Sequence, residues 1–221
     1  MADIYPKVLL VEGKQDARVI PELIEANGIN WGTRNNPTVY IRNYDGYQNL
    51  VDPDVISTEL QASGLSALGI MIDADENPLG RWQSIRSAIL KSIPDIPISL
   101  PEDGLIHTTE DGIRLGIWIM PDNKMRGMLE TFLAYMIPVG NEVLWQFAQE
   151  TVQGAKSRGA VFTDSHLDKA NIYTWLAWQN PPGRQLHQAI MERLLNPQHP
   201  NAQRFVNWFM TLYELKVPDE I

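Results

Sequence analysis

The sequence contains no cysteine, and this absence excludes several kinds of chemistry. A chain without cysteine has no disulfide scaffold, no zinc site with thiolate ligands, no iron–sulfur cluster and no thiol nucleophile. The sequence also lacks any run of about 18 apolar residues, so we expect no membrane-spanning segment. Its first residues contain no basic stretch followed by a long apolar run, which argues against a signal peptide, and we expect a cytoplasmic protein.

Positive charge is also scarce. The 221 residues include 18 Lys and Arg against 27 Asp and Glu, a formal net charge of −9. One interpretation is an acidic surface exposed to water, and the other is a cluster of carboxylates that holds cations. The balance does not indicate a basic groove that follows phosphates. If nucleic acid is a partner, metal ions must supply much of the positive charge.

The first half of the chain alternates apolar runs with segments of helical spacing. The run that ends before Glu12 and the run that ends before Asp73 are both typical of buried parallel strands. Their alternation with helices predicts βαβ units around a mainly parallel sheet. The predicted strands are Lys7–Val11, Thr38–Tyr44 and Ala67–Ile72, and the predicted helices are Gln15–Ala26, Val55–Ser63 and Pro78–Ile93.

The middle of the chain predicts a hairpin, with Asp111-Gly112 as its turn between Leu105–Glu110 and Ile113–Met120. We therefore expect an α/β, Rossmann-like fold with a mainly parallel sheet of about four strands, a hairpin strand and helices on both faces. Residues 1–137 would form this core, and residues 138–221 a helical C-terminal extension packed on it. The predicted helices are Gly127–Met136, Glu142–Gln153, Leu167–Trp178, Gln185–Leu194 and Ala202–Leu215.

Acidic residues follow the predicted core strands. Ligands of open parallel sheets bind outside the carboxyl ends of the strands, so carboxylates placed there converge on one edge. Two side chains at i and i+2 of an extended chain also point to the same side. The candidate metal ligands are Glu12, Asp16, Asp73, Asp75, Asp122 and Glu130. The alternative is structural, since strand ends are often polar and Asp75 or Asn77 could cap the helix that follows.

The donor atoms of this set favour Mg²⁺ or Mn²⁺, because hard oxygen ligands without Cys or His disfavour zinc. Several like charges within a few ångströms would raise one another's pKa values unless a cation lies among them.

Two motifs resemble the Toprim fold, the metal-binding α/β module of topoisomerases, bacterial primases and OLD-type nucleases. The first is Val11-Glu12-Gly13-Lys14-Gln15-Asp16 after an apolar strand, and the second is Ile72-Asp73-Ala74-Asp75. The spacing of Glu12 and Asp16 is more similar to the OLD nucleases than to the topoisomerases. The segments DADENPLGRW, GIWIMPDN and TWLAWQNPPG resemble a small bacterial family of stand-alone Toprim-like proteins of unknown function.

The resemblance implies Mg²⁺- or Mn²⁺-dependent phosphodiester chemistry on nucleic acid, either DNA or RNA. It implies a catalytic role for Glu12, as ligand or general base, and for Lys169, which would stabilise charge on phosphate. An Asp73 without an ion is the alternative general base. An exposed surface lysine is the alternative for Lys169. Lys14 and Arg81 are the predicted substrate-binding residues.

The sequence lacks several domains that accompany the Toprim fold in the families that it resembles. No helicase or zinc-ribbon domain is visible, so primase and topoisomerase activities fit poorly. Gly13-Lys14 is no phosphate-binding loop, because Val8 stands five residues before Gly13 and Gln15 replaces the required Ser or Thr. Any ATP hydrolysis would need a separate ATPase partner. The alternative function is a non-catalytic module that binds nucleotide, nucleic acid or protein and keeps a structural cation site.

Three tryptophans have two possible roles. Trp82 could stack on a base, but its helical spacing with Ile85 and Ile89 favours the core. Trp175 and Trp178 could likewise form a binding platform, and we interpret them as core residues.

Overall fold

The computed structural model describes residues 5–217 and forms one five-stranded sheet with helices on both faces. The strand order is β4-β1-β5-β7-β6, and only β6 runs antiparallel to its neighbour. This confirms the predicted α/β fold with four parallel strands and a hairpin strand. The strands are β1 (Lys7–Val11), β2 (Gly32–Thr33), β3 (Asn36–Pro37), β4 (Tyr40–Asn43), β5 (Ala67–Asp73), β6 (Leu105–Thr108) and β7 (Arg114–Met120). The helices are α1 (Lys14–Glu25), α2 (Tyr47–Leu50), α3 (Pro53–Leu60), α4 (Pro78–Ile89), α5 (Leu129–Tyr135), α6 (Glu142–Lys156), α7 (Leu167–Ala177), α8 (Leu186–Met191) and α9 (Pro200–Tyr213), with a 3₁₀ turn at Asp164–His166.

The parallel register brings the carboxyl ends of the strands to one edge. Val11 of β1 lies beside Asn43 of β4 and Met71 of β5. Asp73, the last residue of β5, lies beside Met120, the last residue of β7. The loops that leave β1, β5 and β7 therefore begin side by side, as the predicted placement of the acidic residues requires.

Two separate hydrophobic clusters cover the two faces of the sheet. The face built by α2, α3 and α4 buries Trp82 and Ile85 against the strands. The other face is covered by α1 and by the helices that follow α5, with α9 closest to the sheet. Gly69 and Gly116 allow this approach, because a β-carbon on either would overlap Tyr213 or Leu212 of α9. The C-terminal part of the chain is thus helical and packed on the sheet. The boundary between residues 137 and 138 stays a prediction.

The structure differs from the expected elements mainly at their ends. The strand predicted from Thr38 begins at Tyr40, because the Thr38 amide donates to the Trp31 carbonyl (2.6 Å) and closes the small β2–β3 hairpin. Neither this hairpin nor the short helix α2 was predicted. Helix α4 ends at Ile89, before a turn in which the Ser92 amide donates to Ile89 (2.8 Å). Across residues 5–217, no helix has the length and apolar character needed to cross a bilayer.

Candidate functional site

Four carboxyl groups from separate elements lie near one another at the carboxyl edge of the sheet. Glu12 follows β1, Asp16 lies in the first turn of α1, and Asp73 ends β5. Glu130 lies in the first turn of α5. The charges of Glu12 and Glu130 act on both Asp16 and Asp73, and the charge of Asp16 acts on Asp73. We call these four residues the acid cluster.

Backbone amides donate to three members of the acid cluster, and two of these are Glu12 and Asp73. The Asp73 amide donates to Glu12 Oε1 at 2.9 Å. The Leu129 amide, at the start of α5, donates to Asp73 Oδ1 at 2.9 Å. Loop and helix positions that are distant in sequence thus hold these side chains, and the hydrogen bonds use one oxygen of each carboxyl group.

Asp16 is buried, with 7% of its surface exposed, and accepts a hydrogen bond from the Gly13 amide at 2.8 Å. Burial, aided by the charges of Glu12 and Glu130, raises the pKa of Asp16 to about 7, although the Gly13 hydrogen bond acts in the opposite direction. In the absence of a bound cation, Asp16 therefore titrates near neutral pH.

Asp73 and Glu12 show the same tendency. Burial raises the pKa of Asp73 well above its usual value, and Asp16, Glu12 and Glu130 raise it further. Burial also raises the pKa of Glu12, against the opposing effects of the Asp73 amide and the Arg81 charge. The acid cluster is thus a place where negative charge is costly in the absence of a cation.

Lys169 contacts one side of the acid cluster. Its Nζ lies 3.1 Å from Glu130 Oε1, and the Glu130 side chain is buried. Burial lowers the pKa of Lys169, but the charge and hydrogen bond of Glu130 outweigh it, so the pKa is raised. A hydrogen bond from the Thr131 hydroxyl to Asp168 also joins α5 to α7. The structure therefore places the predicted basic residue at the candidate site.

Arg81 contacts the opposite side of the site. It forms an ion pair with Asp75, and its guanidinium carbon lies 3.6 Å from the centre of the Tyr47 ring. Asp75 has a φ of 50° and exchanges backbone hydrogen bonds with Gly127 (2.9 and 2.8 Å). Its carboxylate is half-exposed and lies at the rim of the acid cluster. The cap of α4 is Asn77, which accepts from the Gly80 amide at 2.9 Å, so Asp75 is not the cap.

Asp122 is not drawn into the acid cluster. Its Oδ1 accepts from the Lys124 and Met125 amides at 3.1 and 2.8 Å, and its Oδ2 accepts from the Tyr135 hydroxyl at 3.3 Å. These bonds organise the loop after β7. Lys14 is exposed and lies 4.0 Å from the Asp45 carboxylate. The predicted metal role of Asp122 and substrate role of Lys14 stay predictions.

The carboxylates are close together, but they are not arranged as a finished coordination shell. Over residues 5–217, no group of three or more His, Asp or Glu side chains is positioned to hold a metal ion. Binding a divalent ion would therefore need these carboxyl groups to come closer together than they are in this structure.

Two residues at the site were missed from the sequence. The Gln15 side-chain amide donates to the Tyr173 hydroxyl at 3.2 Å and links α1 to α7. Tyr173 lies four residues after Lys169, so both share one face of α7, and this spacing was the available signal. Tyr47, which lies under Arg81, belongs to the unpredicted helix α2, so no sequence signal pointed to it.

The tryptophan predictions are confirmed for Trp82 and Trp175, which are buried. The prediction for Trp178 is wrong, because this residue follows the last residue of α7 and is 39% exposed. Its ring stacks on the half-exposed ring of Phe147 with 5.3 Å between centroids.

Comparisons with known proteins give one family and one solved structure. The family described as "Protein of unknown function (DUF3226)" matches residues 6–214. The solved structure is the C-terminal region of the Xanthomonas campestris pv. campestris OLD protein, which is 14% identical with a TM-score of 0.37. The match covers 95% of this chain and 96% of that chain. A similarity of this size establishes neither a shared fold nor a shared function. No curated protein matches the chain.

Proposed function

The chain belongs to the DUF3226 family of proteins of unknown function, and we propose that its acid cluster binds Mg²⁺ or Mn²⁺ and cleaves phosphodiester bonds in DNA or RNA. The observation that carries this proposal is the enclosure of Asp16 and Asp73 with raised pKa values beside two further carboxyl groups. Helix capping accounts for one hydrogen bond of each aspartate, since Asp16 accepts the Gly13 amide at the start of α1 and Asp73 accepts the Leu129 amide at the start of α5. Capping does not account for four carboxyl groups that lie together, and neither aspartate has an ion-pair partner among residues 5–217.

The residues fit a hard divalent cation. Every donor in the acid cluster is a carboxylate oxygen, which is the ligand type that Mg²⁺ and Mn²⁺ prefer. Glu12, Asp16, Asp73 and Glu130 would hold the ion, with Asp75 joining from the rim. When bound, the ion would supply Lewis-acid stabilisation of the charge on phosphate oxygens.

The chain's own side chains have separate tasks in this proposal. Lys169, fixed by Glu130, presents a positive charge to the phosphate, and Arg81 offers a second one once Asp75 releases it. Glu12 keeps one oxygen free of the Asp73 amide and can accept a proton from an attacking water. The Toprim-like interpretation and a separate ATPase partner remain part of the proposal.

The experiment is a cleavage assay on plasmid DNA, single-stranded DNA and single-stranded RNA with Mg²⁺, with Mn²⁺ and with EDTA. We expect products only with metal, and a loss of about a hundredfold or more in Asp73→Asn, because ligand loss costs at least as much as loss of its supporting contacts. Asp111→Asn is the matched control, since an Asn-Gly turn preserves the hairpin. Absence of product under every condition contradicts a nuclease.

A second function is favoured by the Arg81–Asp75 ion pair, which already uses one carboxylate and one cation at the rim of the site. In this alternative the protein is a non-catalytic module that binds nucleotide, nucleic acid or protein and uses the acid cluster as a structural cation site. Thermal melting with Mn²⁺ separates the two. A raised melting temperature in the parent protein and not in Asp73→Asn, without any cleavage, supports the module.

A further inference from the structure

Arg18 is an uncommitted cation beside the candidate site. It is exposed on α1, two residues after Asp16, and forms no ion pair with any of residues 5–217. The other cations at this edge already have carboxylate partners: Lys14 lies near Asp45, while Arg81 and Lys169 pair with Asp75 and Glu130. In a chain with a net charge of −9, Arg18 is therefore a positive charge near the acid cluster that no carboxylate of residues 5–217 neutralises.

Tyr173 connects Arg18 to the acid cluster. Its half-buried hydroxyl is held by the Gln15 amide. Burial and the charge of Glu130 raise the pKa of Tyr173, while the charges of Lys169 and Arg18 oppose the rise. The Gln15 amide thus contacts the hydroxyl, and Glu130, Lys169 and Arg18 are near enough for their charges to act on it.

Helix geometry places these groups on two helix faces that are in contact. Lys14 and Arg18 are four residues apart on α1, and Lys169 and Tyr173 are four residues apart on α7, so each pair shares a helix face. The Gln15–Tyr173 hydrogen bond joins the two faces. A chain of phosphates that reaches Lys169 can continue past Tyr173 to Arg18 and Lys14.

We propose that Arg18 and the Tyr173 hydroxyl form a phosphate subsite that holds the backbone of a single nucleic-acid strand next to the acid cluster. The proposal rests on the proposed function and names where its substrate lies. A guanidinium donates two parallel hydrogen bonds to a phosphate, and the phenol can donate one more. Base identity is not recognised by these groups, so DNA and RNA share the subsite.

The test is binding without cleavage. Fluorescein-labelled 20-nucleotide single strands of DNA and of RNA are titrated with the protein by fluorescence anisotropy, with Ca²⁺ in place of Mg²⁺, across a series of salt concentrations. We expect Arg18→Gln to weaken binding about threefold or more at 50 mM salt and to reduce the slope of log K against log salt by about 0.7, the value of one phosphate contact on a single strand.

Two further variants make the test specific. Tyr173→Phe removes one neutral donor, so we expect weaker binding with an unchanged salt slope. Arg34→Gln is the matched control, because Arg34 is also exposed and lies in the β2–β3 turn; it should bind like the parent. Circular dichroism verifies that each variant is folded.

The outcomes separate this subsite from the proposed function. Weaker binding in Arg18→Gln but not in Arg34→Gln supports the subsite. This holds even if the parent protein cleaves no substrate, and in that case only the nuclease proposal fails. Equal affinity and slope in Arg18→Gln and the parent overturn it. Equal losses in Arg18→Gln and Arg34→Gln, or no binding by the parent to either strand, also overturn it. Binding of DNA or RNA alone contradicts the shared phosphate subsite.

Discussion

Two buried carboxyl groups of the protein have very different surroundings. Glu59 of α3 has 3% of its surface exposed, and Asp16, at the carboxyl edge of the sheet, has 7% exposed. The surroundings of Glu59 compensate its charge, because Arg42 and the Tyr44 hydroxyl both donate to its Oε1. Asp16 receives the Gly13 amide and faces the charges of Glu12 and Glu130. Glu59 joins α3 to β4, whereas the Gly13 hydrogen bond to Asp16 caps the start of α1 and leaves the Asp16 charge without a compensating cation within residues 5–217.

The difference indicates which acids are candidates for function. A buried charge with a cation and a hydroxyl beside it contributes to the architecture, and its loss is felt as instability. Uncompensated carboxylates reduce stability, and proteins keep such arrangements mainly at functional sites. By this criterion Asp16 and Asp73 are the strongest candidates, while Asp75 and Asp122 are already used by neighbouring groups.

We expect the largest effect on stability when Glu59 loses its ion pair with Arg42. Arg42→Met leaves Glu59 buried with only the Tyr44 hydroxyl, so we expect the free energy of unfolding to fall by about 3 kcal/mol, the low end for a broken buried pair because Arg42 is half-exposed. Urea denaturation measures it. Arg34→Met, at an exposed position, should change stability by less than about 0.5 kcal/mol. Equal effects in both variants would show that Glu59 needs no ion pair.

The next largest effect is a change of the free energy of unfolding with pH, and the raised pKa of Asp16 determines its sign. Its pKa of about 7 in the folded protein exceeds its ordinary value of 3.8, so the folded state holds a proton that the unfolded state has lost. The stabilisation is present below pH 4 and is lost as pH rises to 7. In EDTA we expect the free energy of unfolding to fall by about 2 kcal/mol between pH 5 and 7.5.

Asp16→Asn tests the assignment of that fall. The amide carries no charge at any pH, so the decline should be smaller in this variant, and above pH 7.5 the variant should be more stable than the parent. Mn²⁺ should also reduce the decline in the parent, because the ion would stabilise the charged form. If the stability of the parent protein in EDTA does not change with pH, then ionising the acid cluster without a cation costs no free energy, and the assignment is wrong.

Much of the architecture was predictable because local pattern and topology decide it. The runs Val8–Val11, Ala67–Ile72 and Leu115–Met120 contain no charged residue, so burial in a parallel sheet follows, and their ends then share one edge. The same reasoning placed Glu12 and Asp73 together. It does not determine how the loops after the strands turn, so it could not show that the Asp122 carboxylate accepts the Lys124 and Met125 amides.

The details of the candidate site depend on contacts that sequence spacing does not contain. Arg81 pairs with Asp75 because the ring of Tyr47, 34 positions earlier in the chain, supports the guanidinium. Lys169 was placed by resemblance to OLD-type nucleases, and its contact with Glu130 depends on how α7 packs on α5. Tyr173 and Arg18 become visible only when α1 and α7 are seen side by side.

A smaller effect compares Asp75 with Asp122, which both follow parallel strands. Asp75→Asn removes a charge at the rim of the acid cluster, so we expect Mn²⁺ affinity to fall about tenfold. Asp122→Asn should leave Mn²⁺ affinity within twofold of the parent and lower stability by about 1 kcal/mol, the usual value of a lost cap, because its carboxylate accepts two loop amides. Calorimetric titration and urea denaturation measure the two quantities. If Asp75→Asn binds Mn²⁺ like the parent, the rim does not belong to the site.

The smallest effect concerns Arg81, which compensates Asp75 as Arg42 compensates Glu59. Arg81→Gln removes a positive charge that both occupies Asp75 and acts on Glu12. We therefore expect Mn²⁺ affinity to rise about threefold, the scale of one partly exposed ion pair, measured by calorimetric titration at 50 mM salt. Arg126→Gln is the matched control, because Arg126 pairs with Glu76 of the same loop at 2.9 Å and both side chains are exposed; its Mn²⁺ affinity should not change. A fall in Mn²⁺ affinity in Arg81→Gln would contradict this expectation. It would mean that the ion pair with Arg81 orients Asp75 for binding the ion, and that Arg81 does not compete with the ion for Asp75.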